Sequence, residues 1–145
     1  MSGEAHGRGM RRPMLFATGL LVTAAGLAVH LLGSGTAAGL VADGLYAVLV
    51  YLILAFAWPR AAILRVGSVA LLACVLIELA QLSLLPAALA SWWAPFRLVL
   101  GTTFSAVDLV AYAGGVLAAL GGDAGAARLA RRRSGKADEQ QLIAH

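Results

Sequence analysis

A single cysteine, Cys74, stands in 145 residues. That scarcity excludes an intrachain disulfide and every multi-cysteine zinc or iron–sulfur site, and leaves Cys74 as a filler within an apolar segment. Charge is scarce too. Asp, Glu, Lys and Arg make up 12% of the chain against 61% apolar residues, and a mean hydropathy of +0.85 lies well above that of water-soluble domains. No cluster has metal-ligand spacing and no nucleophile stands beside a base, so no metal, cofactor or catalytic set is expected. The net charge of +4 would suggest nucleic acid in a soluble protein. Here the basic residues flank apolar runs instead of interleaving with aromatics, which excludes nucleic acid and points to membrane lipids, their anionic headgroups above all.

What the chain has in abundance is apolar sequence. A helix needs about 20 mostly apolar residues to cross the roughly 30 Å hydrocarbon layer, so four crossings and their connections consume nearly the whole length. The reading is an all-α integral membrane four-helix bundle over residues 14–122, with a basic N-terminus at 1–13 and a basic tail at 123–145. The first span covers residues 14–32 after Arg8, Arg11, Arg12 and Pro13, a proline suited to a first helical turn. Its length and the three spans that follow favour an uncleaved signal anchor over a signal peptide, although Thr36-Ala37-Ala38 loosely resembles a cleavage site. Gly33, Gly35 and Gly39 mark a turn. The second span runs over residues 43–58 to Pro59, the third over 65–85 to Pro86, and the fourth over 98–120 to Gly121-Gly122. Between the last two, residues 86–97 carry Trp92, Trp93 and Phe96, rings suited to headgroup level, and form an interfacial or re-entrant loop. Beyond a short basic helix the tail is expected to be disordered.

Alternating connections divide the basic residues unevenly. Arg8, Arg11, Arg12, Arg60, Arg65, Arg128, Arg131, Arg132, Arg133 and Lys136 fall on one side, ten of the eleven, and Arg97 alone on the other. Both termini are therefore expected in the cytoplasm, with Arg97 facing out.

Acidic groups at membrane depth cost from about 2.5 to more than 10 kcal/mol, so they persist where they pair or line a cavity. Glu78 is expected about eight residues below the outer end of the third span and Asp108 about ten below that of the fourth, roughly 12 and 15 Å deep. The two spans are antiparallel neighbours, which brings both carboxyls to similar height, with Asp43 and Arg97 near the same side. Cys74, Glu78, Gln81 and Leu85 share one helical stripe; Arg97, Gly101, Phe104 or Ser105, Asp108, Tyr112 and Gly115 share another if the fourth helix begins near Arg97. Two readings stay open for this cluster of Asp43, Glu78, Gln81, Arg97, Asp108 and Tyr112. It is either interhelical hydrogen-bonding glue, worth about 0.6 to 2 kcal/mol per contact, or a ligand site. Asp43 alone also suits a helix N-cap. His30 closes a small-residue packing stripe with Gly19, Thr23 and Gly26, as a wet interfacial group.

The runs Ala42-Asp43-Gly44-Leu45-Tyr46-Ala47 to Tyr51 and Ile77-Glu78-Leu79-Ala80-Gln81, followed by Trp92 or Trp93, Arg97, Gly101, Phe104, Asp108-Leu109, Tyr112 and Gly115, carry a resemblance. They resemble a bacterial family of small four-helix membrane proteins grouped as a domain of unknown function and distantly similar to the VanZ-like family. The resemblance spans residues 43–115 and implies a bacterial plasma-membrane protein, its polar residues facing one another within the bundle, and a cell-envelope role. It implies no particular chemistry. Where the VanZ-like pattern has an asparagine shortly after the Asp of the fourth helix, Tyr112 stands.

Three functions are compatible with these residues. The first is a binding protein in which Arg97 attracts an anionic envelope lipid or carrier phosphate while Glu78, Gln81 and Asp108 orient polar groups. A transporter or channel-like homo-oligomer is the alternative. An enzyme using Glu78 and Asp108 as paired carboxylates on a lipid-linked substrate stands third.

Overall fold

In the computed structural model the chain is described over residues 3–83, 85–100 and 103–143, with side chains placed for 12–83, 88–96, 99–100, 103–130, 132 and 135. Every regular element among them is helical: α1 Gly3–Leu32, α2 Gly35–Ala57, α3 Ile63–Ala80, α4 Leu85–Trp92, α5 Pro95–Leu100 and α6 Asp108–Ile143. Four helical stretches are long and apolar enough to cross a membrane, at Arg12–Leu32, Gly35–Ala57, Ile63–Ala80 and Asp108–Ala130. This is the makeup of a multi-pass membrane protein.

The boundaries differ from the sequence expectation at three places. First, α2 starts at Gly35 and not near Asp43, because Gly35 takes a positive φ of 79° that reverses the chain directly after α1. Second, α3 stops at Ala80 and not at Leu85. The backbone turns over at residues 81–83, where the Ser83 hydroxyl donates to the Ala80 carbonyl at 2.6 Å, and Pro86 lies within the first turn of α4. Third, the last helix begins at Asp108 rather than at Leu98, and it runs through Gly121-Gly122 to Ile143, across residues assigned from sequence to a disordered tail. The expected loop 86–97 contains all of α4 but its first residue and the start of α5, with Trp93 and Phe96 meeting edge to face at 5.2 Å.

The buried core belongs to three of the four spans. Ala47, Tyr51 and Ala55 of α2 meet Val66, Ala70 and Cys74 of α3 and Tyr112 and Val116 of α6. Small residues dominate because lipid tails are as apolar as leucine, and helices in a bilayer gain from close approach rather than from leaving water. The tightest point is the crossing of α2 and α6, where a Cβ on Gly115 would stand 2.2 Å from the Gly44 carbonyl oxygen. α1 packs along α2 and supplies none of the buried residues among those whose side chains are described. It flanks a three-helix core.

Candidate polar site

Glu78 is the one charged side chain among the described residues that is fully buried, at 0% exposure. Its placement follows from the stripe Cys74, Glu78, Gln81 on the inner face of α3, and both of its oxygens are used. Oε1 accepts the backbone N–H of Ser105 at 2.5 Å, and Oε2 accepts the Tyr112 hydroxyl at 3.0 Å. Charged acceptors are worth about 1.5 to 3 kcal/mol per hydrogen bond, which offsets much of the cost of burying a carboxylate. The result ties α3 to the entry of α6.

Ser105 extends the link to the second acid. Its hydroxyl donates to Asp108 Oδ1 at 2.8 Å, and its carbonyl accepts the Asp108 N–H at 3.1 Å. One residue thus joins Glu78 to the first residue of α6. Sequence reasoning placed Ser105 only as an alternative on a helical stripe. The signal that identifies it is Ser105-Ala106-Val107-Asp108, a serine followed three residues later by an acid, which marks a helix start.

The expected stripe from Arg97 to Asp108 does not exist as one helix, since residues 103–107 intervene as bends and turns. Asp108, Tyr112 and Gly115 do share a face of α6. Both acids sit at helix ends, Glu78 two residues before the end of α3 and Asp108 at the start of α6, so the depths of 12 and 15 Å measured along uninterrupted spans do not apply. Asp43 lies in the third turn of α2, which removes the N-cap reading. It is half-buried, makes no hydrogen bond among the described residues, and is close enough to Asp108, Glu78 and His30 to interact electrostatically. Tyr46, one turn along α2 from Asp43, faces Tyr112 with ring centroids 6.4 Å apart.

Gln81 completes the described cluster. Its Nε2 donates to the Leu100 carbonyl at 2.7 Å, docking the end of α5 onto the end of α3, while its Oε1 is buried with no partner among the described residues. Arg97 precedes Leu100 by one turn of α5. Its side chain lies outside the described residues. Of the six sequence candidates, then, Asp43, Glu78, Asp108 and Tyr112 gather where α2, α3 and α6 meet, and Gln81 adjoins them as the residue that caps the end of α3.

The family model for a protein of unknown function, DUF2809, matches residues 32–116. The chain belongs to the DUF2809 family. The matched stretch holds all six candidates, the Gly44–Gly115 crossing and α2 through α5, whereas nearly all of α1 and the C-terminal part of α6 fall outside it. The part of the chain that defines a DUF2809 protein therefore coincides with its buried core and polar cluster. No curated protein and no solved structure matches this DUF2809 chain.

Proposed function

We propose that this DUF2809 protein binds the polar head of an anionic envelope lipid or lipid-linked carrier, with the phosphate toward Arg97 and hydroxyl or amine donors toward Asp43 and Asp108. The observation that carries the reading is the polar chain from Tyr112 through Glu78 and Ser105 to Asp108, which α2 approaches where Tyr46, one turn from Asp43, meets the Tyr112 ring. Glu78 is spent on holding the scaffold. Asp43 is half-buried and without a hydrogen bond among the described residues, which makes it the acceptor available to a ligand. Arginine suits the remaining part, since a planar guanidinium donates to phosphate in pairs.

The proposed setting is a bacterial plasma membrane with both termini in the cytoplasm and the cluster in the outer leaflet. The ten-to-one division of basic residues and the resemblance to VanZ-like proteins support it. A transport pathway through one chain is disfavoured by the close packing of Ala47, Ala70, Cys74 and Val116, small side chains that fill the core between the cluster and the polar contact of Tyr51, whose hydroxyl donates to Asp123 Oδ2 at 2.8 Å. A channel-like function would require a path between copies of the chain.

The test is native mass spectrometry of the purified protein with undecaprenyl phosphate as probe. Retention by the wild type, its loss in Arg97→Ala and partial retention in Arg97→Lys are expected. Equal retention by wild type and Arg97→Ala overturns the reading.

A further inference from the structure

α1 and α2 leave an open groove of about 280 Å³ between them. Phe16, Gly19 and Thr23 of α1 form one wall and Leu52, Ile53 and Phe56 of α2 the other. Gly19 creates the depression, since a Cβ built there meets nothing within 4 Å. The Thr23 hydroxyl makes no demand on an occupant, because it already donates to the Gly19 carbonyl at 2.8 Å. Hydrocarbon is what such a surface takes.

The groove has a charged mouth. Arg12 precedes Phe16 by one turn on the same face of α1, and its guanidinium carbon stands 5.6 Å from the centroid of the Phe56 ring. A cation held over an aromatic face keeps its N–H groups directed outward for an anion. From Arg12 to Thr23 the helix rises roughly 16 Å, close to the ~15 Å that one leaflet contributes to the hydrocarbon layer. Groove and cation together have the length and the chemistry of a single lipid.

The geometry points to a second ligand site, separate from the polar cluster: an anionic phospholipid of the leaflet on the Arg12 side, its phosphate on Arg12 and one acyl chain in the α1–α2 groove. A second copy of the chain fits less well. A helix with its side chains is about 10 Å across, and one seated in the groove would bury the Arg12 charge against apolar surface.

The experiment uses the full chain in mild detergent, with phosphatidylglycerol and phosphatidylcholine as probes read by native mass spectrometry. Wild type is expected to retain one phosphatidylglycerol in preference to phosphatidylcholine. Arg12→Gln, which removes the cation, is expected to lower retention about tenfold, the worth of one charge-assisted hydrogen bond, and Gly19→Leu, which fills the groove, to lower it by a similar factor through lost acyl-chain burial. Helix content by circular dichroism verifies that each variant is folded, and Arg12→Gln carries the comparison alone should Gly19→Leu misfold. Retention equal to wild type in the folded variants overturns the assignment, as does equal retention of the two lipids. A wild-type dimer that dissociates on Gly19→Leu overturns it in favour of a second copy. Arg12→Gln is expected to keep undecaprenyl phosphate, the probe of the polar cluster, at the wild-type level, so this site and the polar cluster succeed or fail separately.

Discussion

The backbone N–H of Ser105 donates to the carboxylate of Glu78 across a separation of 27 residues. Through this bond a buried acid on α3 fixes where α6 begins, and Tyr112, one turn into α6, closes the second side of the same carboxylate at 3.0 Å. The α3–α6 pair is therefore joined at one end by polar contacts and along its length by small apolar side chains.

Removal of Glu78 leaves two donors without acceptors in a site closed to solvent. Glu78→Ala is expected to lower stability by about 3 kcal/mol, because an orphaned buried donor costs about 1 to 3 kcal/mol. Tyr112→Phe removes one bond and is expected to cost about 1 kcal/mol. Unfolding in mixed detergent micelles measures both, and the double variant should cost less than the sum of the two, since the residues share a contact. Strict additivity would mean that the Glu78–Tyr112 bond contributes nothing.

Two substitutions at Ser105 separate its backbone from its side chain. Ser105→Ala keeps the N–H that Glu78 accepts and loses only the 2.8 Å bond to Asp108, an expected cost of about 1 kcal/mol. Ser105→Pro removes that N–H and leaves Glu78 Oε1 unsatisfied, which is expected to cost at least about 2 kcal/mol more. Equal stability of the two variants would show that the Glu78 contact is idle.

Much of this arrangement is legible in the sequence. Glu78 and Asp108 stand out because charge is rare in apolar runs, and the stripe from Cys74 to Glu78 gives the inward face of α3. Helix ends are less legible. Hydropathy alone continues the third span past Ala80, since Leu82, Leu84 and Leu85 suit a span as well as they suit a turn, and it starts the fourth at Leu98 for the same reason. The competing signals are short and polar: Ser83 bonding back to Ala80, and the Ser105-to-Asp108 helix start. The sequence puts Asp43 at a helix start because Gly35, whose positive φ reverses the chain, reads like its neighbours Gly33 and Gly39. The secondary position of α1 carries no signal in composition, because a flanking span and a core span are equally apolar.

Adjacent glycines on α6 offer a matched test of the helix crossing. At Gly115 a methyl group meets the Gly44 backbone, which cannot move aside without parting α2 from α6, whereas at Gly114 it meets nothing within 4 Å. Gly115→Ala is expected to cost about 1 to 3 kcal/mol, the usual penalty for overpacking. Gly114→Ala is expected to be silent or to gain up to about 1 kcal/mol from helix propensity. Unfolding of the two variants side by side checks the expectation, and a reversed order would place the crossing elsewhere.

Cys74 reports on the core without any engineered label. It is the only cysteine and is fully buried against α2 and α6, so a maleimide reaches the thiol only when α3 separates from its neighbours. Labelling of the native protein is expected to be slow and to follow this opening. Glu78→Ala and Gly115→Ala should speed it in proportion to their loss of stability, since the open population rises about tenfold for every 1.4 kcal/mol. Arg12→Gln and Gly19→Leu, which alter only the outer side of α1, should leave the rate unchanged. Fast labelling of the wild type in detergent would mean that α3 is not held as described, and the polar contacts of Glu78 with Ser105 and Tyr112 would fall with it.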